Sequence, residues 1–391
     1  MKTESAKFRI GNDYLFVALV WLASMASSIT GLFVASVFQD RSFTSMFGRW
    51  DALRFVEIVD GGYLTKLPTA NGNIMQNRNA FFPGFPNVVR ALDVLIPGNQ
   101  IFAGVVMNCA IAFITFLLFH KTMLLMTTKA NSRIGVLYFA FFPGSFIFYW
   151  FYAEALTALF IAAAFYYLVN KKVWASSVFV ALATMTRPNA LPFASMIPLY
   201  LILSEIDADF YRLTKARFKR YSKTILKAAG TFAISVSGFV GFMIYLWSIT
   251  GIPDVWLRTE REGWGESTKP FLRTYSNFTS VFSTDFYLND FFILFCALLG
   301  IVLAVFGAIY IKKMKYSALS IAGYIPSLLV ILLALSNNIA PASPRFYAVA
   351  VPIFVSLPFC ISNRYSRFIL PISLLLLGVT SAFYTFANNV A

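Results

Sequence analysis

The sequence predicts an all-α, polytopic membrane protein built as a single domain over residues 1–391. Three observations carry this. The 391 residues are 59% hydrophobic and only 13% charged, about half the charge of an ordinary soluble domain, with a mean hydropathy of +0.70. Apolar runs recur along the whole chain, many long enough to cross a bilayer as helices. The Lys and Arg residues fall in alternate loops.

Eleven spans follow from the apolar runs: 14–36, 101–120, 134–150, 153–170, 173–187, 190–204, 228–250, 291–311, 316–336, 347–361 and 368–386. Several are shorter than the ~20 residues of a straight span, so the pairs around 150 and 188 read as shallow hairpins. The stretch 80–96 reads as a re-entrant or interfacial helix. The run from Arg49 to Phe55, with Trp50, Leu53 and Phe55, reads as a helix lying on the membrane interface.

The net charge of +15 would point to nucleic acid in a soluble protein. Here it reads as topology, with no nucleic-acid partner. With a cytoplasmic N-terminus, the inner segments receive Lys2, Lys7 and Arg9; Lys121, Lys129 and Arg133; Lys171 and Lys172; the basic run Arg212 to Lys227; Lys312, Lys313 and Lys315; and Arg364 and Arg367. Every inner loop obeys the positive-inside rule. A single kinked helix over 173–204 would move the basic run outside, so a hairpin is expected there.

Two long loops, 37–100 and 251–290, then lie outside with balanced charge. Loops of that length fold into sites more often than they serve as connectors. The three cysteines, Cys109, Cys296 and Cys360, lie in apolar runs and read as small packing residues, and no His, Cys or carboxylate spacing suggests a metal. The first apolar run is too long for a cleavable leader. Asn277, Phe278 and Thr279 form a sequon, a pattern that also arises by chance. No inverted repeat of the transporter kind is found.

Candidate chemistry gathers at the ends of spans. Asp51 is either a catalytic base at the water–lipid boundary or one half of an Arg49–Asp51 pair that holds the loop. Glu154 is a lone carboxylate in an apolar stretch, where a charge is costly; it serves chemistry, reaches water at a turn, or pairs with Arg187 or Arg345. Arg187, before Pro188, and Arg345, after Pro344, are single cations at outer helix ends. They snorkel to lipid or clamp a phosphate ester through a planar guanidinium. The run Trp256 to Glu266, with Trp264 and charges of both signs, suits sugar recognition or a surface helix. Asp207, Ala208 and Asp209 match the short Asp-x-Asp metal–nucleotide pattern and read as a solvated helix end.

Arg49, Trp50, Asp51 and Ala52, then Gly61, Gly62 and Tyr63, then Ala80 to Pro86 resemble the first outer loop of the PIG-V family, the GPI mannosyltransferase 2 family and its prokaryotic relatives. Further blocks follow in the family's order: Phe142 and Pro143 with Tyr152 to Leu156, Thr186 to Asn189, Trp264 and Gly265, and Arg345 to Tyr347. The spacer from Tyr63 to Ala80 is longer than in eukaryotic members. The resemblance implies a GT-C type glycosyltransferase that takes mannose from polyprenyl-phosphate-mannose on the non-cytoplasmic face and passes it to a lipid-linked glycan. The family's loop acid falls on Asp51, and the acid after the Phe-Pro turn on Glu154.

A prenyl-phosphate leaving group needs no proton donor, so one base suffices for inverting transfer. Asp51 is the expected base. Arg187 and Arg345 are expected on the donor phosphate, and Arg49, Trp50, Glu154 and Trp264 on the sugar or acceptor. No cofactor or metal is expected beyond the lipid-linked donor. The membrane is the plasma membrane of a prokaryote or the endoplasmic reticulum of a eukaryote. Transfer of another prenyl-linked sugar, or to protein, remains a second reading. A lipid or glycan transporter is a third, disfavoured because the spans are nearly free of charge.

Overall fold

The computed structural model describes residues 11–93, 99–205, 215–264, 288–336 and 343–386. Asp207 and Asp209, the sequon at 277–279, Gly265 and Glu266, the basic residues before Asn12, and most of the 251–290 loop lie outside these.

The described chain is helical apart from one two-residue hairpin, in which Thr69 pairs with Ile74 and Ala70 with Asn73. The helices are α1 (Asn12–Phe38), α2 (Phe43–Met46), α3 (Asp51–Gly61), α4 (Gly84–Asp93), α5 (Gln100–Met126), α6 (Lys129–Ala140), α7 (Glu154–Val169), α8 (Val173–Thr186), α9 (Met196–Glu205), α10 (Lys215–Thr250), α11 (Val255–Arg258), α12 (Leu288–Lys313), α13 (Ala318–Ser336), α14 (Ser343–Ala348), α15 (Leu357–Cys360) and α16 (Asn363–Phe386). Tight 3-10 turns cover Pro143–Tyr149, Pro188–Ser195 and Val351–Ser356.

Among the described residues, fewer than eleven full-length spans form. Among the described residues six helices, α1, α5, α10, α12, α13 and α16, are long and apolar enough to cross a membrane. A seventh exists if α6 and Pro143–Tyr149 count together, across a bend of 74°. Among the other expected spans, α7 and α8 form at their short expected lengths, and proline breaks up those at 134–150, 190–204 and 347–361. Pro143, Pro188, Pro192, Pro352 and Pro358 each remove a backbone donor and clash with a continuing helix. The result is an integral, multi-pass membrane protein with short buried helices enclosed by long ones.

Serines join α1 to α16. Ser27 Oγ donates to Leu374 O (2.6 Å), and Ser381 Oγ to Ser28 O (2.8 Å). Such small polar residues let helices approach closely in lipid, where no hydrophobic force draws them together. The core beneath is aromatic: Phe139 packs on both Phe148 and Phe354, and Trp150 sits among Phe146, Tyr152 and Tyr384.

Basic helix ends gather on one face. Buried Asp13 at the start of α1 pairs with Lys129 Nζ (2.7 Å) and Arg133 (3.4 Å), and lies 3.7 Å from His120 Nε2. Lys313 Nζ donates to Phe359 O (2.7 Å) on the same face. The opposite face carries residues 39–93. Its helix α3 buries Ala52, Phe55, Ile58 and Val59, a helical stripe, and exposes Leu53. An amphipathic helix, as expected of this stretch, therefore forms. Arg90 of α4 closes its end, donating from Nε to Val59 O (3.1 Å) and from Nη2 to Ile58 O.

Candidate active site

Asp51 is the first residue of α3, where the exposed N–H groups of a helix favour an anion. Its turn is held by Ala52 N–H to Arg49 O (3.2 Å) and Leu53 N–H to Trp50 O (3.1 Å). Trp50 takes φ +59° to make it, a left-handed conformation that costs a bulky side chain about 1–3 kcal/mol. Tyr152 secures the same turn from outside, its hydroxyl donating to Arg49 O (3.0 Å).

Two close approaches bring the cations in. A Cβ at Gly84 would lie 2.4 Å from Thr186 Oγ1, so only glycine lets α4 meet the end of α8, where Arg187 follows. A Cβ at Gly144 would lie 1.9 Å from Pro344 O, so the turn after α6 presses on the residue before Arg345. Asn108 then fixes the segment between that turn and Glu154, donating from Nδ2 to Trp150 O (2.6 Å) and Tyr152 O (2.7 Å).

Four charged side chains meet as a result. Arg345 Nη1 donates to Asp51 Oδ2 at 2.7 Å, and Arg187 Nη2 lies 3.6 Å from the same oxygen. Glu154 Oε1 lies 3.1 Å from Arg187 Nη1 and 3.4 Å from Arg345 Nη1. Side-chain exposures are 0% for Glu154, 5% for Arg345, 12% for Arg187 and 14% for Asp51. Charges so buried are tolerated only when paired, and two acids against two guanidiniums sum to zero. Burial alone would push the Asp51 carboxyl up. Arg345 and then Arg187 outweigh it and hold the group below the ordinary carboxylate range. Asp51 is therefore ionised at neutral pH.

The cluster is rich in charge and poor in hydrogen bonds. Both Glu154 oxygens, Arg187 Nη1 and Arg345 Nε are buried with no hydrogen-bond partner. Aromatic faces enclose the guanidiniums: Arg345 lies 4.8 Å from Phe346, 5.3 Å from Tyr152 and 5.7 Å from Tyr384, and Arg187 lies 5.6 Å from Phe346. Donor capacity is thus left over in a buried setting lined by aromatic rings.

The other expected residues lie around this centre. Arg49 does not pair with Asp51. Its guanidinium donates to Gln39 Oε1 (2.8 Å) and Thr385 O (3.4 Å), stacks 5.0 Å over Trp50, and ties the loop to the ends of α1 and α16. Trp50 and Trp264 each hold a buried indole N–H without a partner. Trp264 meets Phe81 edge-on at 5.8 Å, and Phe81 meets Phe55 of α3 at 5.5 Å, so two rings link Trp264 to the helix of Asp51. The 255–264 segment is fastened to the first loop by Trp256 Nε1 to Ala80 O (3.2 Å) and Ile74 N–H to Glu262 Oε2 (2.9 Å).

Three features were not singled out from sequence. Tyr384 stands in an ordinary apolar span and gave no signal. Asn189, inside the Thr186–Asn189 block, has both side-chain amide atoms buried and unpartnered. An apolar groove of about 430 Å³ opens between α3, α4, α8 and α10, walled by Tyr63, Met185, Phe242 and Tyr245. Met185, two residues before Arg187, is in its wall, and none of the four charged residues of the cluster lines it. Among the described residues no group of three or more His, Cys, Asp or Glu is disposed to hold a metal.

No family model and no curated protein matches the chain. Solved structures do. The apo oligosaccharyltransferase of Archaeoglobus fulgidus superposes with a TM-score of 0.52 at 10% identity, over 96% of this chain and 56% of that one. ArnT of Cupriavidus metallidurans, bound to undecaprenyl phosphate, gives 0.53 at 10% identity, over 92% and 62%. The Archaeoglobus fulgidus oligosaccharyltransferase AglB with an inhibitory peptide and a dolichol-phosphate gives 0.50 at 10% identity, over 96% and 56%. This chain therefore spans under two thirds of the length of each. The likeness is one of fold, the all-α polytopic architecture that this chain shares with these structures.

Proposed function

We propose that the chain is a glycosyltransferase that moves mannose from polyprenyl-phosphate-mannose to a lipid-linked glycan on the non-cytoplasmic face, as a prokaryotic relative of the PIG-V family. The observation that carries this reading is the contact of Asp51 with Arg345, buried beside Arg187 and Glu154, in a chain that also has an apolar groove between α3, α4, α8 and α10. A base, two guanidiniums and a slot for a hydrocarbon chain are what transfer from a prenyl phosphate requires. The two prenyl-phosphate complexes among the neighbours of like fold agree with that substrate class.

In this reading Asp51 takes the proton of the acceptor hydroxyl as its oxygen attacks C1 of the sugar from the face opposite the phosphate. The configuration inverts through an oxocarbenium-like transition state. Arg187 and Arg345 hold the departing phosphate, whose charge grows as the C1–O bond breaks, so they favour the transition state over the ground state. Glu154 keeps the guanidiniums in place. Trp50, Arg49 and Trp264 border the sugar and acceptor. The reaction runs without a metal, because both carboxylates of the cluster are already engaged by arginine.

The test supplies the detergent-purified protein with radiolabelled polyprenyl-phosphate-mannose and membrane lipid extract. Label in a new lipid-linked product that survives EDTA supports the reading. Transfer from prenyl-linked glucose or arabinose instead would change the sugar, and label found on protein would change the acceptor. No transfer from any prenyl-linked sugar would return the chain to the transporter class.

A further inference from the structure

The two guanidiniums expected to hold the donor phosphate are occupied. Asp51 takes Arg345 at 2.7 Å and approaches Arg187 at 3.6 Å, and Glu154 lies within 3.4 Å of both. The site already holds its own anions. Resting on the assignment of Arg187 and Arg345 to the donor phosphate, we infer that Asp51 and the lipid phosphate compete for one pair of arginines, and that arginine passes from the base to the leaving group during transfer.

Charge bookkeeping through the step supports this exchange. The resting cluster sums to zero, and the phosphodiester donor adds one negative charge. During transfer the acceptor oxygen forms its bond to C1, and the C1–O electron pair leaves on the phosphate. The diester monoanion becomes a monoester dianion, while the acceptor proton moves to Asp51 and neutralises it. The total charge in the buried site is therefore constant. What changes is where the negative charge sits, and Arg345 is free to follow it because its former partner is now neutral. The unpartnered Arg345 Nε is the donor available to a phosphate oxygen from the outset. Strained Trp50 sits at the start of the base's helix, where a small relaxation of the turn would let Asp51 withdraw.

The consequence runs against the ordinary expectation for an active-site variant. Removing the charge of Asp51 abolishes transfer yet tightens binding of the lipid phosphate. The experiment titrates undecaprenyl phosphate into detergent-solubilised wild type and Asp51→Asn, following tryptophan fluorescence, with melting temperature as the check on folding. Asp51→Asn is expected to bind about tenfold tighter or more, in keeping with the coupling of close buried charges. Glu154→Gln removes the other anion from the same arginines and is expected to bind tighter as well, and it decides the matter should Asp51→Asn fail to fold. Equal or weaker binding by the folded variants overturns the competition and leaves the phosphate clamp standing. Absence of binding by wild type and variants alike overturns the clamp itself.

Discussion

Asp51 and Arg345 are 294 residues apart in sequence and touch at 2.7 Å. Each stands at a helix terminus, and each is aimed by a neighbour that tolerates little change. Asp51 follows a tryptophan in a left-handed conformation, and Arg345 follows a proline whose carbonyl presses on Gly144. The pair joins the first long loop to the last third of the chain.

Breaking that pair from the cationic side should be costly. Arg345→Met leaves Asp51 and Glu154 with Arg187 alone, and an uncompensated buried carboxylate costs about 3–5 kcal/mol. The variant is expected to melt well below wild type. Adding Glu154→Gln to Arg345→Met should recover much of the loss. Arg345→Lys keeps the charge and should fold, but it loses the planar fork, so transfer should fall while the melting temperature holds. Thermal unfolding and transfer rates, compared across the three, check this.

Two glycines should respond with opposite sign. Gly144→Ala drives a methyl into Pro344 O, a backbone atom that cannot yield locally, and should cost about 1–3 kcal/mol. It should also slow transfer, because Arg345 moves with Pro344. Gly241 lies inside α10 with nothing near its missing side chain. Gly241→Ala should therefore raise stability by about 0.5–1 kcal/mol through backbone entropy. Melting temperatures of the two variants give the comparison.

The groove between α3, α4, α8 and α10 should discriminate by chain length. Gly241 contributes to its floor, and a larger side chain there projects into open space. Gly241→Leu is expected to raise KM for a long-chain prenyl-phosphate donor about tenfold. A water-soluble, short-chain donor should be nearly unaffected, since it leaves the groove empty. Equal effects on both donors would separate the groove from the substrate.

The depressed carboxyl of Asp51 fixes the acid side of the pH response. Its folded-state value lies below the unfolded one, so its contribution to stability is full above the unfolded value of about 3.9 and is lost as pH falls through the folded value. The acid limb of kcat/KM, which reports the free enzyme, should accordingly lie below about pH 4. Asp51→Asn should remove that stability change. A limb near pH 6 would contradict the paired state of Asp51.

Much of this was legible in sequence, and the reasons differ residue by residue. Asp51, Glu154, Arg187 and Arg345 stood out because charge is rare in this chain, and the structure brings all four together. Composition gave the helical membrane class. It did not give the count of spans. Hydropathy registers Pro188–Ser195 and Val351–Ser356 as apolar without registering that proline halts a helix there. Arg49 looked like the natural partner of Asp51 two residues on. The left-handed Trp50 instead turns it toward Gln39 and Thr385, and strain of that kind leaves no trace in a residue pattern. Tyr384 packs on Arg345 from a span that reads as plain lipid-facing helix. The closure of the second loop on the first, through Trp256 and Glu262, depends on tertiary contacts that no local spacing encodes.

The most direct test of the central claim is the rate of mannose transfer by wild type and Asp51→Asn, at saturating polyprenyl-phosphate-mannose and with both proteins shown to be folded. Loss of a general base is expected to lower the rate about 10²–10⁴-fold in the folded variant. Transfer by Asp51→Asn at the wild-type rate would contradict the account and remove Asp51 from the chemistry.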